Sequence, residues 1–258
     1  MPTPAHERRD VAESFGTDAE RYDRARPAYP QQLIERIVAA SPGPDVLDVG
    51  CGTGISARQL RAAGARVLGL DVDERMVGPA RRSGLAVEVG AFEEWDPAGR
   101  TFDAVVSGQA WHWVDPVRGA AQAARVLRPG GRIALFWNVA QPPPDLTAAF
   151  AAVYQRVLPE LPAYGGSMLA VYEAGFGPVE DALVGAGFGT PERWRAHHEI
   201  TYTRAEWLDV VPTHGGHGRL APDRLAELLD GLGAAVDDAG GAFAMRYDAV
   251  AVTATLPT

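Results

Sequence analysis

Residues 46–54 read Val46-Leu47-Asp48-Val49-Gly50-Cys51-Gly52-Thr53-Gly54, and they decide the fold. A short apolar run ends in a turn with glycine at every second position. Residues 55–63 follow with a composition compatible with a helix. This is the pattern of a strand, a tight turn and a helix N-terminus. Glycine has no Cβ, so the turn can approach a ligand closely, and the first turn of a helix offers unpaired N–H groups. The ligand of such a turn need not be a phosphate.

Outward from this turn, strand-like runs recur at 66–70, 86–89, 102–107 and 132–137, separated by helix-like stretches at 74–82 and 116–127. Upstream, Leu33, Ile34, Ile37 and Val38 lie at helical spacing within 30–40, and Ser41-Pro42-Gly43-Pro44 ends that helix. Arg128-Pro129-Gly130-Gly131 reads as a turn into the fifth strand. Apolar strands separated by helices of about ten residues specify an α/β fold with a parallel, doubly wound, Rossmann-like sheet.

After Asn138 the pattern loosens. Residues 141–144 form a stiff linker, and Asp145 is placed to cap a helix running to Leu158. Residues 159–177, rich in Pro, Gly and Tyr, read as an irregular lid. A helix at 179–186 ends at Gly187. A sixth strand falls near 194–202, and Thr203 caps a short helix through Val211. Residues 213–218 form a loop, 222–236 a helix and 242–256 a last strand. The reading is one domain over 1–258, with a small, mainly helical cap from 1–40, 145–177 and 203–235.

The net charge of −9 argues against broad binding to nucleic acid or anionic membrane. Every one of the 24 basic residues is arginine, so no lysine can act as a base or form a Schiff base. A single cysteine, Cys51, excludes an intrachain disulfide framework. The N-terminal stretch MPTPAHERRDVAES is polar, so neither a signal peptide nor a transmembrane helix is expected, and the cytoplasm is the expected location.

Asp71 closes the second strand, 17 residues past Gly54, the gap that one helix and one strand require. A carboxylate there can accept hydrogen bonds from both hydroxyls of a ribose. Asp73 fits better as the N-cap of the following helix. The same spacing would suit a nicotinamide dinucleotide. Against that, the usual third glycine of G-x-G-x-x-G is absent, because position 55 is Ile55.

These features together resemble the class I S-adenosylmethionine (SAM)-dependent methyltransferases. The resemblance is strong over about 15–140, and is closest to small-molecule enzymes of the trans-aconitate methyltransferase type, because Trp111-His112-Trp113 follows the fourth strand. It implies a seven-stranded sheet whose last strand is antiparallel and inserts between the fifth and sixth. It also implies a SAM site. Asp48, Gly50, Cys51, Gly52 and Gly54 would form the turn, and Asp71, Val72 and Met76 the ribose end. Ala91 and Phe92 would lie by the adenine, although the acidic residue common there is missing. Ser107 and Gln109 would face the methionine part. Phe15 to Pro27 resembles the N-terminal segment that folds over SAM, with Tyr22 and Arg26 at the matching positions and Arg26 able to pair with the SAM carboxylate.

The implied reaction moves a methyl group to an O, N, S or C nucleophile of a small organic acceptor, leaving S-adenosylhomocysteine. His112 is the leading candidate for a base and His214 the second; a structural role in the helix-entry turn is the competing reading of His112. The acceptor is expected between Tyr22, Tyr29, the Trp111-His112-Trp113 turn and a lid carrying Tyr164, Tyr172, Phe176, His214 and His217. His214-x-x-His217 lacks further ligands for a metal, and His197 and His198 on one strand point to opposite faces. No metal is expected, and the chain is expected to be a monomer or homodimer. A SAM-binding protein that carries out cyclisation, or no transfer, is the alternative, ahead of an NAD-type oxidoreductase.

Overall fold

The computed structural model describes residues 13–160 and 168–258. The N-terminal residues 1–12 and Tyr164 lie outside them. Seven strands form one sheet: β1 Asp45–Val49, β2 Arg66–Asp71, β3 Ala86–Val89, β4 Phe102–Gly108, β5 Leu127–Gln141, β6 Glu192–Thr203 and β7 Ala242–Thr255. Their order is β3-β2-β1-β4-β5-β7-β6. The first five pair in parallel, and β7 runs antiparallel to both β5 and β6. This is the strand order that the resemblance implies.

The helices are α1 Ala19–Ala25, α2 Gln31–Ala40, α3 Ile55–Ala62, α4 Glu74–Arg82, α5 Pro116–Val126, α6 Pro144–Val157, α7 Met168–Gly185, α8 Arg204–Val210 and α9 Pro222–Asp238. The central strands are apolar throughout because both faces are covered, and alternate side chains go to opposite faces. Leu47, Val105, Ile133 and Leu135 pack with Trp111, Phe176 and Leu183 on one side. Val46, Val106, Ala134 and Phe136 pack with Ile34, Ile37 and Leu60 on the other. Burying each large side chain here contributes about 1.5–3 kcal/mol. A third cluster, with Phe150, Tyr154, Trp207, Leu228, Leu232 and Met245, joins α6, α8 and α9 to the ends of β6 and β7.

Three local expectations are corrected. The 128–131 turn lies within β5: Phe102 pairs with Leu127 and Ala104 with Arg132, so the intervening residues bulge out of register. Gly130 takes a φ of 77° there, and its N–H reaches the Leu256 carbonyl at 2.9 Å. Asp145 is no N-cap. The helix begins at Pro144, whose fixed φ suits a first helical position, and Asp145 sits in its first turn. Residues 168–177 are helical, not an irregular lid. Glycines and Pro178 are tolerated in α7 because Phe176 and Leu183 anchor it, with Phe176 against Trp137 at 5.2 Å. No helix among the described residues is long and apolar enough to cross a membrane.

Candidate active site

The carboxyl ends of β1, β2, β4 and β5 open into a cavity of about 710 Å³, the edge where open α/β sheets bind ligands. The glycine turn forms part of its wall. Gly50, Gly52 and Gly54 have φ of 68°, 52° and 86°, in the left-handed region. A Cβ on Gly50 would lie 2.3 Å from that of Ala110. The turn is tied to β2 through the Gly50 and Cys51 N–H groups, which donate to the Leu70 carbonyl at 2.8 and 3.1 Å.

Asp71 lines the cavity, and its carboxylate is fixed by the backbone: Oδ2 accepts from the Gly52 N–H at 2.8 Å and Oδ1 from the Asp73 N–H at 3.0 Å. Burial raises its pKa, and these N–H groups pull it back down. Asp73 caps α4, accepting from the Arg75 N–H at 2.9 Å.

Four residues expected at the cofactor do not line the cavity. Asp48 is fully buried beneath the turn and accepts from Ser56 Oγ at 2.7 Å; burial pushes its carboxyl up to about 7. Cys51 packs against Gly69, and Gly54 packs against Leu85. Ser107 is fully buried in β4. They shape the wall from behind, because alternate residues of a strand or turn face away from the ligand edge. The remaining expected positions, Tyr22, Arg26, Gly50, Gly52, Val72, Met76, Ala91, Phe92 and Gln109, all reach the cavity with Asp71.

Gln109 is one of two residues other than glycine with positive φ among the described residues, at 58°. That conformation costs roughly 1–3 kcal/mol and marks sites where the surroundings impose it. Its N–H donates to the Phe136 carbonyl at 2.9 Å, and its side-chain amide donates to the Asn138 carbonyl at 3.1 Å. Its Oε1 has no partner. Asn138, absent from the expected site, lines the cavity beside it. Its amide nitrogen donates to the Ala28 carbonyl at 3.0 Å and its Oδ1 has no partner. Its position at the carboxyl end of the fifth strand was the available signal. Across from them the Arg26 guanidinium donates to the Thr213 carbonyl at 2.9 Å and lies 5.1 Å from the Tyr22 ring centre; its Nε is unpaired.

His112 lines the cavity, its ring 4.7 Å from that of Trp113. The residue is exposed at the cavity, and desolvation by the protein crowded around it lowers its pKa to about 4. The other end holds His214 and His217, their ring centres 5.6 Å apart. His217 Nε2 shares a hydrogen bond of 3.0 Å with the Tyr154 hydroxyl. Burial, then the Arg26 charge and His217, hold His214 well below its usual pKa. Tyr172 lines the cavity as expected, whereas Tyr29 and Phe176 do not. Tyr29 is buried edge-on to Phe136 at 4.7 Å, and Phe176 is in the sheet core. His198 stacks on Tyr247 at 5.3 Å while His197 is exposed on the opposite face.

Residues 47–135 match a family model described as a methyltransferase domain. An uncharacterized methyltransferase of Mycobacterium tuberculosis is 41% identical over 133 residues, 51% of this chain and 54% of that protein. This chain thus spans about half the length of the first curated relatives it matches. A demethylmenaquinone methyltransferase of Tropheryma whipplei is 30% identical over 187 residues, 67% of this chain and 77% of that protein. The solved structure of a protein from Anaeromyxobacter dehalogenans has the same fold, with a TM-score of 0.64 at 23% identity over 90% of this chain and 99% of that one. The chain belongs to the class I SAM-dependent methyltransferases.

The cavity residues fit that cofactor. Gly50 and Gly52 keep the wall of the turn free of side chains, Gly50 because Ala110 occupies the place of a Cβ, and Asp71 suits a ribose. Gln109 Oε1 and Asn138 Oδ1 are buried acceptors without a partner, and Arg26 Nε is a buried donor without one, on residues that line the cavity.

Proposed function

We propose that the protein transfers a methyl group from SAM to an O, N, S or C nucleophile of a small organic molecule. One observation carries this reading. A single cavity joins the Gly50–Asp71 wall to an end lined by Phe150, Tyr154, Trp207, His214 and His217, so cofactor and acceptor can meet inside it. Bound SAM supplies a methyl group already activated on a positively charged sulfur. The protein's own task is then to orient the two molecules and keep water out.

In this reading Asp71 holds the ribose hydroxyls and Arg26 the carboxylate. Gln109 Oε1 and Asn138 Oδ1 accept from the amino group. Val72, Met76, Ala91 and Phe92 enclose the adenine. The described parts of 1–40, 145–177 and 203–235 that line the cavity would form a cap over the sheet edge, while Ile34, Ile37 and Phe176 of those segments pack in the sheet core. The net charge of −9 favours a small-molecule acceptor over nucleic acid. A role in secondary metabolism, a cytoplasmic location and a monomeric or homodimeric state complete the proposal.

Calorimetry tests it first. SAM and S-adenosylhomocysteine are expected to bind at micromolar strength, about −8 kcal/mol. Absence of heat and of any thermal shift with both ligands would refute the assignment. Release of S-adenosylhomocysteine with candidate acceptors then separates an active enzyme from a protein that binds SAM without transferring its methyl group.

A further inference from the structure

The cavity wall changes character along the chain. The charged residues among its described lining are Arg26, Asp71 and Glu93, at the end of α1, the end of β2 and just after β3. From Val139 to Tyr172 the described lining comes from the end of β5, from α6 and from the start of α7, and none of it is charged. The first charged residue of α7, Glu173, is paired with Arg195 on β6. A charged group lying along this stretch would find no counter-charge.

The start of α7 contributes Met168, Val171 and Tyr172 to the wall. Spacings of three and four place them on one face of the helix, and the 1.5 Å rise per residue spreads them over about 6 Å of its axis. Leu169, Tyr172 and Phe176 anchor the helix on the sheet core. Val171 nonetheless stays 64% exposed and Met168 39%. The other exposed large apolar side chains among the described residues, Val89, Val117 and Val184, do not line the cavity. A single exposed apolar side chain is ordinary. Two on adjacent turns of a cavity wall make an apolar strip that a ligand inside the cavity can cover. The strip is long in one direction, and its thioether and isopropyl groups offer no flat face for a ring, so it suits a chain.

We propose that the methyl acceptor is an amphiphile whose uncharged aliphatic tail lies along Met168 and Val171, with its nucleophile turned inward to the methyl group. The inference rests on the assignment of SAM to the Gly50–Asp71 wall of the same cavity. Covering the strip removes apolar surface from water, a gain that a sugar or a free amino acid cannot supply.

Calorimetry with 1-butanol, 1-hexanol and 1-octanol tests this on the intact protein saturated with S-adenosylhomocysteine. Affinity is expected to rise about fourfold for each added methylene, the worth of one buried CH₂. On the same protein, 1-octanol is expected to slow peroxide oxidation of Met168 by about threefold or more, read by peptide mass spectrometry. Val171→Thr and Met168→Gln keep side-chain size and make the strip polar. Each is expected to weaken 1-octanol by roughly three- to tenfold while S-adenosylhomocysteine affinity changes by less than about twofold. Affinity that does not rise with chain length overturns the proposal. So does octanol binding that leaves the oxidation of Met168 unslowed, or that is unchanged in both variants, because the chain then lies elsewhere. A dimer in light scattering that reverts to monomer in Val171→Thr would show that a second copy covers the strip, and also overturns it. The chain-length series and the oxidation rate are read on the unsubstituted protein, so they decide even where a variant fails to fold. Failure of S-adenosylhomocysteine itself to bind would instead overturn the cofactor assignment.

Discussion

The Gly52 amide donates to Asp71 Oδ2 at 2.8 Å, joining the glycine turn after β1 to the carboxylate that ends β2. The residue proposed to hold the ribose is thus also the clamp that shapes the turn. Oδ1 is occupied by the Asp73 N–H. Each oxygen keeps a second lone pair for a ligand hydroxyl, so the carboxylate arrives at the ligand already oriented.

Asp71→Ala removes both the clamp and the ribose contact. SAM affinity is expected to fall by about 1.5–3 kcal/mol, the worth of hydrogen bonds to a charged group, with a lower melting temperature in the absence of ligand. Asp73→Ala removes the α4 cap and is expected to cost roughly 0.5–2 kcal/mol of stability, with less than half the effect on SAM. Calorimetry and thermal melts on both variants check this. A larger loss of SAM affinity in Asp73→Ala would assign the ribose contact to the wrong acid.

Arg26 is held by the Thr213 carbonyl and rests near the Tyr22 ring, with Nε buried and without a partner. If it pairs with the SAM carboxylate, Arg26→Ala is expected to weaken SAM by about 1.5–3 kcal/mol. Arg26→Lys is expected to restore only part of this, because a point charge cannot both bond the Thr213 carbonyl and present a planar fork. Unchanged SAM affinity in Arg26→Ala, measured by calorimetry, would reduce the arginine to a tether for the 211–219 turns.

The ligand edge was legible in the sequence because its logic is local. Glycines at positions 50, 52 and 54, and Asp71 one helix and one strand later, follow from chain geometry alone. The insertion of β7 between β5 and β6 came from family resemblance, since periodicity carries no strand order. Tyr29, read as bordering the acceptor pocket, and Phe176, read as a lid aromatic, are core residues, because Phe136 and Trp137, distant in sequence, supply their partners. Asn138 and Trp207 were missed as well. Asn138 stands at a strand end that the sequence did mark, whereas Trp207 reaches the far end of the cavity only through its packing with Phe150 and Met245, distant in sequence.

Asp48 accepts from Ser56 Oγ in a site sealed from solvent, and burial raises its carboxyl to about 7 from 3.8. Between those values the folded protein binds more protons than the unfolded chain. Stability contributed by this group is therefore full below about 4 and lost as the pH rises through about 7. Asp48→Asn keeps an oxygen for Ser56 and abolishes the titration. The stability of the unsubstituted protein relative to Asp48→Asn is expected to fall as the pH rises across that window. Denaturant melts of both proteins at pH values spanning about 4 to 8 measure it. A pH-independent difference would mean that Asp48 keeps an ordinary carboxylate pKa.

His112 has the opposite sign. Desolvation by the surrounding protein lowers it from 6.5 to about 4 although the residue is exposed at the cavity, so the folded protein binds fewer protons than the unfolded chain between those values. Stability on its account is lost as the pH falls through that window. Against a His112→Gln variant, in which Asp48 titrates unchanged, the melting temperature of the unsubstituted protein is expected to drop on acidification. The same shift bears on catalysis. An imidazole of such low basicity is neutral throughout the physiological range and is a poor proton acceptor, since efficient general bases lie near the working pH. His112 is therefore expected to orient the acceptor and exclude water, with Trp113 beside it. His112→Ala should lower kcat by less than about tenfold, leave SAM affinity nearly unchanged and leave the pH–rate profile without a lost limb. A fall of ~10²–10⁴-fold, with loss of a limb near neutral pH, would show that the histidine works as a base in the loaded enzyme. Melting temperature measured on the same preparations separates either result from simple loss of the fold.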